Sequence, residues 1–348
     1  MKTLTELSKE YDSNNVLSSI ELFKKQCEEG YTRGSQLHIP DEYKKIDTIV
    51  FGGMGGSALP AHILRSWNIL KKPSAVWNRY GSLSYIDSNT LFVGLSYSGG
   101  TEETLASTES ALLSGAKCLG VTLGGELADI LLRAQSPVCT IDETNNPCRQ
   151  PRFAVGFILG ALIGIFETLD FLNQKIPMQE IFTAFEKNFF SPLDDESMEA
   201  KLARALVEKI PVIVGSEHLA QVAHFFQNQL NETGKTFATY HEIPEVNHHL
   251  LEALRNPATN KKNLVFVFVE SRFYNKRNAI RFTIMRELVE KAGIQTLSFG
   301  RTSATWSEEV FLLMESIEFV SLYVGLYHHC DPSDIPFVAL LKEKLAQK

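Results

Sequence analysis

From Asp47 onward, short apolar runs alternate with stretches whose apolar residues recur at helical spacing, and this alternation constrains the fold more than any other feature of the chain. The runs TIVFGG, SAVW, TLFVGLS, KCLGVT and PVCTI read as strands, with amphipathic segments between most of them. Strands that alternate with helices predict a parallel sheet covered on both faces, an α/β sandwich. A long apolar helix is predicted after it, from about Phe153 to Leu172.

The pattern then breaks at the Pro- and acid-rich stretch FFSPLDDESMEA and restarts with PVIVGS, a helix to about Asn231, TFATYH, LVFVFVE and QTLSFG, the last two each followed by a long helix. The two halves are expected to duplicate one another in pattern, with a boundary between about 174 and 200. The expected units are an N-terminal helix in 1–44 packing on the first domain, a first domain in 45–174 and a second in 195–348 that ends in a C-terminal helix. Apolar positions at helical spacing predict that leading amphipathic helix over about 5–28.

A chain of 348 residues, 44% hydrophobic, is long enough to bury two such cores. Its formal net charge of -7 argues against nucleic-acid binding, which needs clustered Lys and Arg in surplus. The first residues lack the apolar core of a secretory signal, and the run from Phe153 to Leu169 carries three glycines and is short for a membrane span. A cytoplasmic protein without membrane partners is therefore expected. The five cysteines (Cys27, Cys118, Cys139, Cys148, Cys330) are scattered, with no C-x-x-C pair, and read as reduced thiols that are neither nucleophiles nor metal ligands.

Chemistry is expected at two loops. TIVFGG runs into Gly53-Met54-Gly55-Gly56-Ser57-Ala58, where glycines let backbone N–H groups approach an anion and the start of the next helix adds its dipole. TLFVGLS runs into Ser96-Tyr97-Ser98-Gly99-Gly100-Thr101, a second strand end rich in hydroxyls. Neighbouring loops of this kind form one pocket at the carboxyl edge of a sheet. Each loop alone has a plainer reading: Ser57 as a helix cap, and the second loop as turn and capping chemistry. The first also satisfies G-x-G-x-x-A, the dinucleotide fingerprint. A nicotinamide cofactor would want an acid after the next strand, yet SAVW is followed by Asn78, Arg79 and Tyr80; Arg79 leaves a 2'-phosphate open.

GGMGGSALP and SYSGGTEET together resemble the phosphosugar-binding segments of the sugar isomerase (SIS) domain. With QPRFAVG at 150–156, LNETGK at 230–235, EVNHH at 245–249 and CDPSDIPFVALLKEKL near the C-terminus, nearly the whole chain resembles the bifunctional phosphoglucose/phosphomannose isomerase family. The resemblance implies two tandem SIS-type αβα domains with parallel sheets. It implies a homodimer whose site is completed across the interface, and neither metal nor organic cofactor. The implied activity interconverts fructose 6-phosphate with glucose 6-phosphate, mannose 6-phosphate or both, by proton transfer through an enediol(ate).

Carried over by position, Gly55, Gly56, Ser57, Ser96, Ser98 and Thr101 match the phosphate-binding residues, Arg152 the arginine near the enediolate and Glu232 the catalytic base. His248 matches the ring-opening histidine, with His249 beside it, and Lys342 the C-terminal lysine of the site. The chemistry suits these groups: one carboxylate can serve adjacent carbons, an imidazole can open a ring near neutral pH, and a fixed cation stabilises charge as it builds on oxygen. The chain departs from the usual pattern at SGGT for SGNT, NHHL for NHNE and DPSD for DPTP. Other readings are a non-catalytic sugar-phosphate sensor, which would want a DNA-binding or partner module, and an isomerase of a different sugar phosphate.

Overall fold

The computed structural model describes residues 2–81, 83–188 and 191–347. Two parallel sheets form where the apolar runs predict strands. The first has the order β2-β1-β3-β4-β5, from β1 (Thr48–Gly53), β2 (Ser74–Trp77), β3 (Thr90–Leu95), β4 (Lys117–Thr122) and β5 (Val138–Thr140). The second has the order β7-β6-β8-β9, from β6 (Ile210–Ser216), β7 (Thr239–Ile243), β8 (Leu264–Val269) and β9 (Gln295–Phe299). Every neighbouring pair of these strands is parallel. In both sheets the chain steps outward from the first strand and then reverses to its other side. The loops leaving β1 and β3, and those leaving β6 and β8, therefore flank a crevice at the carboxyl edge.

Before the first sheet lie α1 (Leu4–Tyr11), α2 (Val16–Glu21) and α3 (Phe23–Gln36); the first half adds α4 (Gly55–Ser66), α5 (Glu102–Leu113), α6 (Gly125–Arg133) and α7 (Val155–Thr168). α8 (Met178–Lys187) and α9 (Met198–Leu206) bridge to the second half, which contains α10 (Ala220–Glu232), the short α11 (Leu250–Ala253) and α12 (Asn260–Asn263), α13 (Lys276–Lys291), α14 (Trp306–Tyr327) and α15 (Pro336–Ala346). Of the stretch that breaks the pattern, Phe189 and Phe190 lie outside the described residues.

The single leading helix expected over 5–28 is three. Asn15 takes a left-handed φ of 59°, and the Asp12 carboxylate accepts from the N–H groups of Val16 and Leu17 at 2.7 and 2.9 Å, which ends one helix and starts the next. The α1 and α2 helices lie against α14, and α3 against α7.

The α3–α7 contact explains the glycines of the apolar run. A Cβ on Gly160 would lie 2.5 Å from the carbonyl oxygen of Cys27, and one on Gly34 would lie 2.2 Å from that of Ala161. The two backbones therefore meet along a seam that only glycine fits. The α14 helix is apolar and long enough to cross a membrane by composition, but 89% of its most apolar stretch is buried inside the protein, as the core helix of the second half.

The predicted strand TFATYH forms three residues late, as β7. Its first residues instead finish α10: the N–H of Thr236 donates to the Leu230 carbonyl and that of Ala238 to the Asn231 side chain.

Candidate active site

The two hydroxyl loops interlock. Ser57 is buried inside α4, and its Oγ accepts from the N–H of Tyr97 at 3.0 Å, so it joins the loops and does not cap the helix. Ser96, fully buried, shares a hydrogen bond with the Thr101 hydroxyl at 2.9 Å and accepts from the Gly99 N–H at 3.1 Å. Ser98 stays exposed and accepts from Gly100 N–H at 3.3 Å.

Neither α4 nor α5 receives a side-chain cap. Ser57 N–H donates to the Met54 carbonyl at 3.1 Å, and the N–H groups ahead of it are left to water or an anion. Glu102 and Glu103 already draw on the dipole of α5, whereas α4 has no acid in its first turn, so its dipole is left less compensated. Gly55 has φ +48°, and no heavy atom would stand within 4 Å of a Cβ there, so the loop is open on that side.

Arg152 adjoins the first loop: a Cβ on Gly56 would sit 2.9 Å from its Cα. Its side chain is 4% exposed and uses all its nitrogens. Nε donates to Thr233 Oγ1 at 3.1 Å and NH1 to Gln150 Oε1 at 3.2 Å, while NH2 donates to the carbonyls of Pro332 and Ser333 at 2.8 and 3.0 Å. NH1 also lies 3.6 Å from Glu232 Oε2. Burial lowers the pKa of the guanidinium, and Glu232 opposes that shift. Glu232 itself closes α10 and is 39% exposed, so one oxygen faces the arginine while the carboxylate still reaches solvent.

Reading of residue types missed Lys235, three positions beyond Glu232. Its Nζ donates to the carbonyls of Glu232 and Asp334, both at 2.5 Å, and to that of Pro332 at 3.3 Å. Burial, with Arg152 nearby, pushes its pKa down to about 8. Arg152 and Lys235 together clamp residues 332–334 over the end of α10. Asp331 ties the same segment to the N-terminus by accepting from Ser13 Oγ at 2.7 Å. The signal for Lys235 was its place in LNETGK, but a lysine just past a helix end also reads as a dipole counter-charge.

The structure gathers Gly55, Gly56, Ser57, Ser96, Ser98, Thr101, Arg152 and Glu232 within the one chain. It does not bring His248 or Lys342 to them: both are exposed, and neither is a hydrogen-bond or ion-pair partner of Arg152 or Glu232. His248 ends the turn Glu245–His248 that follows β7, while the neighbouring His249 faces the His241 ring at 6.2 Å. Lys342 rides on α15, whose apolar residues are also exposed, Phe337 to 86% and Leu341 to 57%.

Two of the departures from the family pattern are explained locally. Gly100, in SGGT, has open space where a side chain would stand. The clamp on DPSD is made through backbone carbonyls, and the Asp334 carboxylate adds a negative charge that opposes the lowering of the Lys235 pKa. At the rival cofactor position, Asn78 donates to the Gly53 carbonyl at 2.6 Å and Arg79 lies over the Trp77 ring. Among the cysteines, burial raises Cys118 to about 12 and Cys139 to about 11, which keeps both thiols protonated at neutral pH.

Two parallel sheets, with two hydroxyl-rich loops at the carboxyl edge of the first, define an α/β protein of two sheets. Residues 196–345 match the family described as the bacterial phospho-glucose isomerase C-terminal SIS domain. The chain is 28% identical over 345 residues to a bifunctional phosphoglucose/phosphomannose isomerase of Caldicellulosiruptor bescii, covering 95% of this chain and 99% of that one. It is 29% identical to one of Thermoplasma acidophilum, covering 86% and 89%. The crystal structure of a hypothetical protein from Thermus thermophilus superposes with a TM-score of 0.71 at 17% identity, covering 99% of this chain and 93% of that one, a likeness of fold. The chain is thus a relative, along most of its length, of the bifunctional phosphoglucose/phosphomannose isomerases, a family of sugar-phosphate isomerases.

Proposed function

We propose that this sugar-phosphate isomerase interconverts fructose 6-phosphate with glucose 6-phosphate, mannose 6-phosphate or both, through an enediol(ate). The observation that carries the reading is the Glu232 carboxylate 3.6 Å from a buried guanidinium that itself abuts the anion seat of α4. The phosphate would lie on the first-turn amides of α4, with Ser57, Ser98 and Thr101 supplying hydroxyls and Ser96 holding the second loop in place. Glu232 would carry one proton between C1 and C2 of the opened sugar, and Arg152 would stabilise the oxygen on which charge builds.

His248 would open the ring and Lys342 would complete the charge around the substrate. Both would come from a second copy of the chain, since neither meets the other groups within one protomer. The exposed apolar residues of α15 support that arrangement as a surface for a partner. In this reading the protein is a cytoplasmic homodimer of two-domain chains, divided as 45–174 and 195–348, and acts without nucleic acid, membrane or cofactor.

The test is a coupled assay of fructose 6-phosphate formation from each aldose phosphate, with EDTA present, for wild type and Glu232→Gln. Activity that survives chelation and falls by about a hundredfold or more in the variant is expected. A folded wild-type protein inactive on both sugars would move the assignment to another sugar phosphate or to a sensor.

A further inference from the structure

The second half repeats the first closely enough to ask what stands where the first half holds its anion seat. Matching the register pair Gly52 and Gly94 of β1 and β3 to Val214 and Phe268 of β6 and β8 places Glu217 at the position of Gly55. Both residues have φ +48°, which supports the match. The same match places His218 at the position of Gly56 and Arg272 at that of Ser98.

At the first of these positions the chain supplies its own anion. The Glu217 carboxylate accepts from the Asn275 N–H at 2.9 Å and from Asn278 Nδ2 at 2.7 Å. The buried His218 ring meets Glu309 at 3.1 Å, and the same carboxylate oxygen takes the Ser271 hydroxyl at 2.5 Å. A phosphate therefore has no room beside α10 equivalent to its seat beside α4.

One strand further along the edge the situation reverses. A cavity of about 810 Å³ opens at the carboxyl ends of β8 and β9, lined among others by Ser271, Arg272, Arg286, Glu287, Arg301 and Thr302. That volume is in the range of small-molecule sites, roughly 300–1,000 Å³. Arg272 is held by one nitrogen, NH2, on the carbonyls of Ser303 and Ala304 and lies over the Phe273 ring, which leaves Nε and NH1 without a partner among the described residues. Arg286 pairs with Glu270 through NH2 and lies over the Phe268 ring, and its Nε is buried without a hydrogen-bond partner. Two guanidiniums, each fixed in place, thus line one cavity, and the unspent donors it can offer are those of Arg272, since Arg286 Nε is buried.

The acids around it are mostly committed. Glu270 is held by Arg286, Glu309 by His218 and Ser271, and Arg301 lies 3.5 Å from Glu199. Glu287 remains, exposed at the rim. Guanidinium forks match phosphate oxygens, and a rim carboxylate with the Thr302 hydroxyl suits the hydroxyls of a ligand and not a second anionic group.

We propose that this cavity is a second anion site, distinct from the one on the first sheet, that takes a phosphomonoester carrying hydroxyls, such as a phosphorylated sugar or polyol. The test is equilibrium dialysis of labelled sorbitol 6-phosphate, which has no carbonyl to isomerise, against the full chain. Wild type is expected to bind about two molecules per chain, and both Arg272→Gln and the double variant Ser57→Ala with Ser98→Ala about one. Glu287→Gln, at an exposed position that leaves the fold alone, is expected to tighten the second site severalfold, because it removes a negative charge from the rim. The Ser57 and Ser98 variant reports on the first site separately, so failure of one site is distinguishable from failure of the other. Binding by wild type that neither Arg272→Gln nor Glu287→Gln alters would overturn the proposal, whereas a single molecule lost in Arg272→Gln and kept in the Ser57 and Ser98 variant would leave it standing and count against the first site.

Discussion

At the scale of single residues, the groups that matter are those held by several partners at once, and Lys235 is the one with a titration to read. Its pKa of about 8 in the folded chain lies below the ordinary 10.5, so the folded chain releases this proton first. Stability therefore rises with pH between about 8 and 10.5 as the burial cost of the charge is relieved. The clamp on residues 332–334 weakens over the same interval, because a neutral amine donates more weakly to the three carbonyls. Activity and stability are expected to move in opposite directions: kcat should show an alkaline limb near pH 8 while the thermal midpoint does not fall. Lys235→Arg, which stays charged, should carry that limb upward, and a limb unmoved in this variant would assign it to another group. Glu232 and Arg152 were legible only through the segments that carry them. A carboxylate at a helix end resembles any solvated acid, and only the fold places it within 3.6 Å of an arginine that lies eighty positions earlier. Ser57 stood out in the sequence as a hydroxyl at a strand end, but its hold on Tyr97 N–H did not, since that bond joins two loops forty residues apart.

At the scale of elements, the parallel sheets could be read from the alternation of apolar runs, because a strand covered on both faces must be apolar along its length. The split of the leading helix could not, since apolar spacing continues across Asn15 and the break is made by Asp12 turning back on two N–H groups. The α3–α7 seam was likewise half visible. Its glycines stood out in the run from Phe153 to Leu169, but their reason is a partner helix more than a hundred residues earlier. The seam predicts a sharp contrast. Gly34→Ala would force a methyl to 2.2 Å from the Ala161 carbonyl oxygen, a backbone atom that cannot step aside, and should cost about 1–3 kcal/mol or more by urea denaturation. Gly100→Ala, with open space around it, should change stability by less than about 0.5 kcal/mol in the same experiment. Equal effects would mean that the helices part readily and that the seam is not what orders the N-terminus.

At the scale of the whole molecule, the described chain holds an uncapped helix start, a carboxylate and a cation at one place, and an exposed histidine and an exposed lysine at others. If two copies complete each other's sites, Glu232 of one chain works with His248 of the other. Glu232→Gln and His248→Ala should then each be inactive alone yet complement when co-expressed. Random pairing makes half the dimers mixed, and in a mixed dimer one of the two sites receives both variant residues while the other receives neither. The mixture should therefore recover about a quarter of wild-type activity. If both groups instead served the site of their own chain, every site would retain one defect, and mixing would recover nothing. The same experiment with Lys342→Ala in place of His248→Ala asks the question of α15. Recovery there would assign the exposed Phe337 and Leu341 to the dimer contact, and its absence would leave Lys342 working on its own chain or outside the site altogether.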